Sequence, residues 1–414
     1  GKLYLIPSNA DELWRRYLRD FPNSASDSTV SSAWTSLKPC FDAPEEFREK
    51  LGDFKSPLIF DNGSAVKSAD DWPRRRQEIL DYWHAAMGPW PKLLSEPRIE
   101  FEESVYVENF TRHKVRIEVS EGAFDGPHHL LIPDGDGPFP AVVVTWYNSV
   151  DSAGLTGKPL VDFGYQLAQR GFVALCIGGT DAVNLAQQNP LRIQPLSYLA
   201  YTAANCSNLL ASLPQVDANR IGIIGHSFGG KWAMFASCLH ERFACAVWVD
   251  PGIVWNEKDP NANYWEKWYL GYEFGQPENN QRVPGIVTQD NGRTGAYRRL
   301  VEQGRELHEL HALMAPRPFL VSGGVQDRPD HWTALNHSVA VNTLLGHTGR
   351  VAMTIREGHS PTLKSNEQAF AFFEHFLGEP KTGSVQPEPI PKVEVSDERS
   401  AQEKSTVRVA AAQP

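Results

Sequence analysis

The stretch that decides the fold is Gly225-His226-Ser227-Phe228-Gly229-Gly230. Residues 220–224 before it form a short apolar run typical of a buried strand, and residues 231–237 after it have the character of a helix. A serine on a tight turn between strand and helix presents its hydroxyl at the edge of the sheet, and flanking glycines let the two elements approach closely. The stretch therefore predicts a nucleophile elbow with Ser227 as the nucleophile, the alternative being an ordinary Gly/Ser turn.

Partners for this serine are expected later in the chain, in the order acid and then histidine. A buried-strand run at 318–324 is followed by Asp327, and a second run at 350–355 is followed by His359. A neutral imidazole can accept the serine proton at pH 7 and return it to the leaving alcohol. A carboxylate on its other nitrogen stabilises the imidazolium that forms. The spacing predicts a triad of Ser227, His359 and Asp327.

Two other acids compete with Asp327 for this role. Asp250 follows the apolar run 245–249, a position from which some hydrolases supply the acid, although the Pro-Gly after it also fits a turn former. Asp330 lies close to Asp327 and also fits the cap of a helix that begins near His331. The choice of acid stays open among the three.

An oxyanion hole needs two converging backbone N–H groups, one from the residue after the nucleophile and one from the loop after the third strand of the fold. Phe228 supplies the first. The strand-like run 140–145 leads into Trp146-Tyr147-Asn148, so Tyr147 is the candidate for the second. The His-Gly-Gly sequence of many lipases is missing from this loop.

Strand and helix patterns alternate after Pro140, with apolar strands predicted at 141–145, 172–177, 221–225, 245–249, 318–323 and 350–355. Such runs predict a mostly parallel central sheet with helices on both faces. With the elbow and the order of the triad, the fold class is α/β and the expected architecture is the α/β-hydrolase fold. We expect a mixed N-terminal extension at 1–70, a catalytic domain at 71–378 and a disordered tail at 379–414, where Pro, Glu, Lys and Ser dominate.

An insertion at about residues 251–295 is rich in aromatic residues: Trp255, Tyr264, Trp265, Trp268, Tyr269, Tyr272 and Phe274. Long insertions of this kind often form the wall of an active site. Flat aromatic faces suit sugar rings, which makes Trp265 and Trp268 candidate substrate-binding residues. The alternative is that these side chains pack the insertion onto the sheet.

Composition narrows the function classes. A chain of 414 residues that is 41% hydrophobic and 22% charged can bury a large core, and its net charge of −10 disfavours a nucleic-acid partner. The sequence contains no run of 18 apolar residues, so we expect no membrane span. Five cysteines at irregular spacing predict free thiols. The first residue is Gly1, which is compatible with a processed, exported protein.

Histidine spacing does not favour a metal enzyme. His308 and His311 are three residues apart, one short of the His-Glu-x-x-His zinc motif, and His128 and His129 alternate across a strand. We expect catalysis without a metal or a cofactor.

Several motifs in order resemble those of bacterial carbohydrate esterases of the glucuronoyl-esterase type and related acetyl xylan esterase-like hydrolases. They are the stretch 72–80, the elbow with Gly230-Lys231, the run 308–320 with Ala-Pro-Arg-Pro at 315–318, and the histidine loop. The resemblance covers about residues 70–378. It implies an α/β-hydrolase fold, a serine esterase mechanism without cofactor, and a sugar ester as substrate.

Carried over by position, the resemblance makes Ser227 the nucleophile, His359 the base, Asp327 the acid and Lys231 a contact to sugar hydroxyls. One position departs from the pattern. Glucuronoyl esterases carry an arginine directly after the serine, where this chain has Phe228. An aromatic ring cannot replace a guanidinium in stabilising negative charge, which weakens the case for glucuronate esters.

The sequence therefore predicts a serine carboxylic-ester hydrolase that acts on an acylated carbohydrate, by deacetylation through an acyl-enzyme. The enzymatic alternative is a glucuronoyl or methyl-uronate esterase. The alternative of another class is an inactive carbohydrate-binding relative that keeps the fold. Peptidase activity is less favoured, because no propeller-like repeat precedes the hydrolase segment.

Overall fold

Within residues 27–179 and 191–378, which are the residues that the computed structural model describes, nine strands form one sheet. They are β1 (Ile99–Val107), β2 (Phe110–Ser120), β3 (Ala123–Pro133), β4 (Phe139–Trp146), β5 (Val173–Gly178), β6 (Val216–His226), β7 (Cys245–Val249), β8 (Phe319–Gly323) and β9 (Val351–Ile355). Their order is β1-β2-β3-β5-β4-β6-β7-β8-β9. The pairs β1-β2, β2-β3 and β3-β5 are antiparallel, whereas the pair β5-β4 and all pairs after it in this order are parallel.

Helices connect and cover the strands. They are α1 (Asp27–Leu37), α2 (Trp72–Met87), α3 (Ser149–Ser152), α4 (Phe163–Gln169), α5 (Pro195–Ser212), α6 (Phe228–Leu239), α7 (Gly295–Glu302), α8 (His308–Ala312), α9 (Trp332–Leu344) and α10 (Leu363–Leu377). Short 3-10 turns lie at Lys38–Phe41, Ala69–Asp71, Glu278–Asn280 and Pro329–His331. Helix α2 ends at Gly88, whose φ of 94° favours glycine.

The parallel strands are apolar on both faces because helices cover both. Val142 and Val144 pack in one core cluster with residues of α4 and α10, whereas Val143 packs in a second cluster with residues of α5 and α6. Every residue of β7 is buried, as expected of a strand inside a doubly covered sheet. The predicted α/β architecture is confirmed.

The described part of the N-terminal extension packs onto the helices of the domain. Trp34 stacks on His375 of α10 with ring centroids 3.8 Å apart. The ring nitrogens of His308 and His337 lie 2.6 and 3.0 Å from the backbone oxygens of Lys55 and Leu51. The domain boundaries stay predictions, and the tail predicted at 379–414 lies outside the described residues.

Three compositional expectations can be compared with the described residues. The five cysteines are free, with Cys40 half-buried and the others buried. Among the described helices, none combines the length and apolar character that crossing a membrane requires. The described side chains contain no cluster of three or more His, Cys, Asp or Glu residues arranged to hold a metal ion.

Candidate active site

Ser227 lies on the turn between β6 and α6. Its backbone has φ 56° and ψ −114°, a strained conformation for a residue with a side chain. Its N–H donates to the Val249 carbonyl at the end of β7 (2.9 Å), and its carbonyl accepts from the Lys231 N–H (3.0 Å). These two bonds fix the turn at the carboxyl edge of the parallel strands, where the predicted elbow requires it.

Two glycines of the elbow are required by close backbone contacts. A Cβ at Gly229 would lie 2.0 Å from the Thr145 carbonyl oxygen, and one at Gly225 would lie 2.2 Å from the Gly229 oxygen. The Thr145 hydroxyl donates to the Gly229 carbonyl at 2.7 Å. The ends of β4 and β6 and the first turn of α6 are thus packed backbone to backbone around Ser227.

We expect Gly229→Ala to lower the free energy of unfolding by about 3 kcal/mol or more, because the strand end and the helix would have to separate. The gain in helix propensity on removing glycine, about 1 kcal/mol, opposes only part of this cost. Urea denaturation would measure it. Gly292→Ala is the control, since a Cβ there meets nothing within 4 Å and should leave stability nearly unchanged. Equal stability of the two variants would contradict the packing argument.

His359 has its acid partner in Asp250. His359 Nδ1 lies 2.6 Å from Asp250 Oδ2, and the Asp250 side chain is fully buried, whereas that of His359 is 36% exposed. The hydrogen bond places the proton of a neutral imidazole on Nδ1, which leaves Nε2 as the acceptor. This geometry corrects the prediction of Asp327 in favour of the alternative that the sequence left open.

Asp327 is buried in a neighbouring position with different partners. Its two carboxylate oxygens accept from the backbone N–H groups of Gly252 (2.9 Å) and Ile253 (2.6 Å), and Oδ1 lies 3.3 Å from His331 Nδ1. It therefore holds the loop that follows Asp250. Asp330, the other competitor, is exposed and lies 3.5 Å from Arg328.

Asp250 is held in return by the loop that carries Asp327. Its Oδ1 accepts from the N–H groups of Gly324 (2.7 Å), Gln326 (3.0 Å) and Asp327 (3.0 Å). Three backbone donors on one oxygen fix the carboxylate and leave the second oxygen for His359. Each acid thus orders the loop of the other.

The predicted oxyanion donors lie at the same edge of the sheet. Phe228 is the first residue of α6, where helix geometry leaves the N–H without an acceptor inside the helix. The register pairs Thr145 of β4 with Gly225 of β6, so Tyr147 and Ser227 each lie directly after the ends of these adjacent strands. The oxyanion role of the two amides stays a prediction.

Five aromatic rings contact one another in a row that includes Phe228, the residue after Ser227. We call them the aromatic belt: Trp146, Tyr147, Phe228, Tyr269 and Trp268. Tyr147 stacks on Phe228 at 5.0 Å and 27°, and 46% of Tyr147 is exposed. Phe228 is buried and contacts Tyr269 at 6.0 Å between ring centroids. Trp268 is half-buried and lies 6.3 Å from Tyr269, which places the predicted binding residue two rings from Phe228.

Two other predicted binding residues are buried, which corrects their assignment. Trp265 is 1% exposed, donates its indole N–H to the Gly285 carbonyl at 2.7 Å and packs against Tyr297, so it is part of the core of the insertion. Lys231 is 2% exposed, and its ammonium donates to the carbonyls of Pro251 (2.5 Å) and Asn261 (3.2 Å). Lys231 therefore ties the insertion to the elbow helix. Burial lowers its pKa to about 8.

Sequence reasoning did not single out two residues that contact His359. Arg356 and His226 both hydrogen-bond to the His359 carbonyl, at 2.5 Å and 2.9 Å. The sequence could have indicated these two residues only through their positions, since Arg356 directly follows β9 and His226 directly precedes the nucleophile. The donors of Arg356 are directed to the protein, mainly to the backbone carbonyls of Ser322, Gly323 and Ser360.

Comparisons with known proteins identify a matching family model. The family model described as "Prolyl oligopeptidase family" matches residues 202–378, which include Ser227, Asp250 and His359. A comparison with curated protein sequences finds no match.

Three solved structures that share the fold are distant from this chain in sequence. A glucuronoyl esterase from Solibacter usitatus is 19% identical with a TM-score of 0.60, covering 78% of this chain and 97% of that chain. A carbohydrate esterase family 15 glucuronoyl esterase from Teredinibacter turnerae is 18% identical with a TM-score of 0.56, covering 84% and 99%. A Bacteroides fragilis protein assigned as an acetyl xylan esterase is 14% identical with a TM-score of 0.50, covering 74% and 80%.

These similarities establish the fold and confirm the resemblance that the sequence motifs indicated. Ser227, Asp250 and His359 follow β6, β7 and β9, in the chain order serine, acid and histidine that this fold uses. The chain therefore has the α/β-hydrolase fold, with Ser227 on a strained turn between β6 and α6.

Proposed function

We propose that this protein is a serine carboxylic-ester hydrolase that removes a small neutral acyl group from a carbohydrate. The observation that carries the proposal is the His359 Nδ1 to Asp250 Oδ2 bond of 2.6 Å at the same sheet edge as the strained Ser227. This bond orients the ring and selects the tautomer that can accept a proton on Nε2. Ser227, His359 and Asp250 are the proposed nucleophile, base and acid.

In the proposed mechanism, Ser227 Oγ attacks the ester carbonyl carbon while its proton passes to His359 Nε2. Asp250 stabilises the imidazolium, and the amides of Phe228 and Tyr147 stabilise the carbonyl oxygen as it becomes negative. The bond to the alcohol oxygen breaks as His359 returns the proton to it. Water then attacks the acyl carbon, its proton passes through His359 to Ser227, and the carboxylic acid leaves.

Two features favour an acetyl ester over a uronate ester. Among the described residues, Lys231 and Arg356 are cations near the triad, but both are buried and donate to backbone carbonyls. Neither is therefore presented to the carboxylate that hydrolysis of a uronate ester would release. The residue after the nucleophile is the buried Phe228 rather than an arginine. The aromatic belt with its exposed Tyr147 face suits a sugar ring, which is apolar on its faces.

The proposal is tested by acid release from three matched substrates: an acetylated xylo-oligosaccharide, a benzyl glucuronate ester and a proline-containing peptide anilide. The last is included because the matched family model is that of the prolyl oligopeptidases. We expect kcat/KM for the acetyl ester to exceed that for the glucuronate ester by at least about 100-fold, equivalent to about 2.7 kcal/mol of transition-state discrimination. A preference for the uronate ester or for the peptide would overturn the substrate assignment.

Tyr147→Ala tests whether the aromatic belt binds sugar. The side chain is removed but the backbone amide remains, so we expect KM for the acetylated oligosaccharide to rise about 5- to 10-fold with kcat within about threefold. Steady-state kinetics measure both constants. Tyr106→Ala is the matched control, because Tyr106 is 62% exposed on β1, away from the belt, and should leave KM unchanged. An unchanged KM in the Tyr147 variant would remove the belt from the binding site.

A further inference from the structure

The backbone carbonyl of His359 accepts two side-chain hydrogen bonds. Arg356 Nη2 lies 2.5 Å from it and His226 Nε2 lies 2.9 Å from it. A carbonyl oxygen has two lone pairs, so its hydrogen-bonding capacity is used entirely by these two residues. The carbonyl belongs to the same residue whose imidazole faces Asp250, so holding it restrains the position of the ring.

Arg356 links the His359 loop to the end of β8. Its Nη1 donates to the carbonyls of Ser322 (2.6 Å) and Gly323 (3.2 Å), and its Nε donates to the carbonyl of Ser360 (2.9 Å). The side chain is only 7% exposed, and Nη2 lies 4.0 Å from Asp250 Oδ2. The planar guanidinium is suited to this arrangement, because its five N–H groups are directed in a fixed fork.

His226 links the same carbonyl to the nucleophile strand. It is the last residue of β6, its buried ring stacks on Trp146 at 5.3 Å, and its centroid lies 4.6 Å from that of His359. Burial, assisted by the nearby His359, lowers the pKa of His226 to about 3. The ring is therefore neutral near pH 7 and donates its single N–H from Nε2.

We propose that Arg356 and His226 are positioning residues that clamp the His359 carbonyl and so hold the imidazole between Ser227 and Asp250. The proposal rests on the proposed function. The loop needs such a clamp because Glu357, Gly358 and Ser360 are exposed, and a Cβ at Gly358 would meet nothing within 4 Å. Since proton transfer requires hydrogen-bond reach, loss of the clamp should slow the chemical step more than it weakens substrate binding.

Arg356→Met is the first test. It keeps much of the side-chain volume but removes every donor, and we expect kcat to fall about 100-fold while KM stays within about threefold. Arg356→Lys, which keeps one donor group, should recover part of the loss. Arg328→Met is the matched control, because Arg328 also lies on a loop at this edge but is 57% exposed, and it should retain wild-type kinetics. Folding of each variant is checked by near-ultraviolet circular dichroism and thermal unfolding.

His226→Phe tests the second half of the clamp, since phenylalanine preserves the aromatic contact with Trp146 and removes the donor. We expect a roughly tenfold loss in kcat, with KM again little changed. This variant and Arg356→Lys carry the test if Arg356→Met does not fold. Folded variants of both residues with kcat within threefold of wild type would overturn the clamp.

A double-mutant cycle separates positioning from general stability. If Arg356 acts through the Asp250–His359 pair, Arg356→Met added to Asp250→Asn should cost less than about threefold further in kcat. Full additivity of the two losses would contradict the proposal. Before the cycle is measured, Ser227→Ala must be shown to eliminate the turnover of the wild type. If no turnover depends on Ser227, the proposed function is refuted; if turnover depends on Ser227 but the two losses are additive, only the clamp is refuted.

Discussion

Ser227→Ala should reduce kcat for ester hydrolysis by about 10⁴- to 10⁶-fold, the largest effect expected of any substitution in this protein. The reason is that no acyl-enzyme can form without the Oγ nucleophile, although the oxyanion donors and His359 remain in place. Release of 4-nitrophenol from 4-nitrophenyl acetate, corrected for spontaneous hydrolysis, measures the loss. A serine-directed fluorophosphonate should label the wild type and fail to label the variant.

The control for this substitution is Ser64→Ala, an exposed serine on a loop of the N-terminal segment. It should keep wild-type turnover and labelling. Residual turnover in Ser227→Ala within tenfold of the wild type, with intact labelling, would show that another residue is the nucleophile.

Asp250→Asn should lower kcat by roughly 10⁴-fold. An asparagine can direct its NH₂ group at His359 Nδ1, which would favour the tautomer with the proton on Nε2 and remove the acceptor that Ser227 needs. The imidazolium would also lose the charge that stabilises it. Kinetics at pH 7 measure the effect, and a thermal unfolding curve confirms that the variant is folded.

Asp327→Asn is the matched comparison, because Asp327 is an equally buried aspartate whose oxygens accept from Gly252 and Ile253 rather than from His359. We expect it to lose about 1–3 kcal/mol of stability through a weakened pair of hydrogen bonds and to keep kcat within about tenfold of wild type. An inactive Asp327 variant beside an active Asp250 variant would reverse the assignment of the acid.

The elbow and the parallel strands could be predicted because their signals are local. Glycines at 225 and 229 and the uninterrupted apolar run at 245–249 can be recognised from the sequence around them, although the contact that requires Gly229 is with Thr145 of β4. His359 was predicted for a similar reason, since it lies on the short loop after the last strand. These residues lie where strand ends place them, so the order of elements was sufficient.

The acid could not be chosen from local sequence, because three aspartates follow strand ends or begin helices. The choice depends on the order of strands in the sheet. Since β7 lies directly beside β6, the loop of Asp250 emerges next to Ser227, whose N–H donates to Val249. The loop of Asp327 is one strand further away.

The insertion was also beyond local prediction, because aromatic composition does not tell which rings face solvent. Trp265 and Trp268 are three residues apart, yet the first is buried against Tyr297 and the second is half-buried beside Tyr269. Lys231 was expected to reach a sugar, but its ammonium satisfies two carbonyls of the insertion. Tertiary contacts decide these orientations.

The mutual support of the Asp250 and Asp327 loops has a consequence for protein engineering. Three amides of one loop serve Asp250, and two amides of the other serve Asp327. A designer who wished to graft this acid into another scaffold would have to transplant both segments together, because either alone would bring an unsatisfied carboxylate or unsatisfied amides into the interior. The two loop segments together are the smallest unit that can be transferred with all of these hydrogen bonds satisfied.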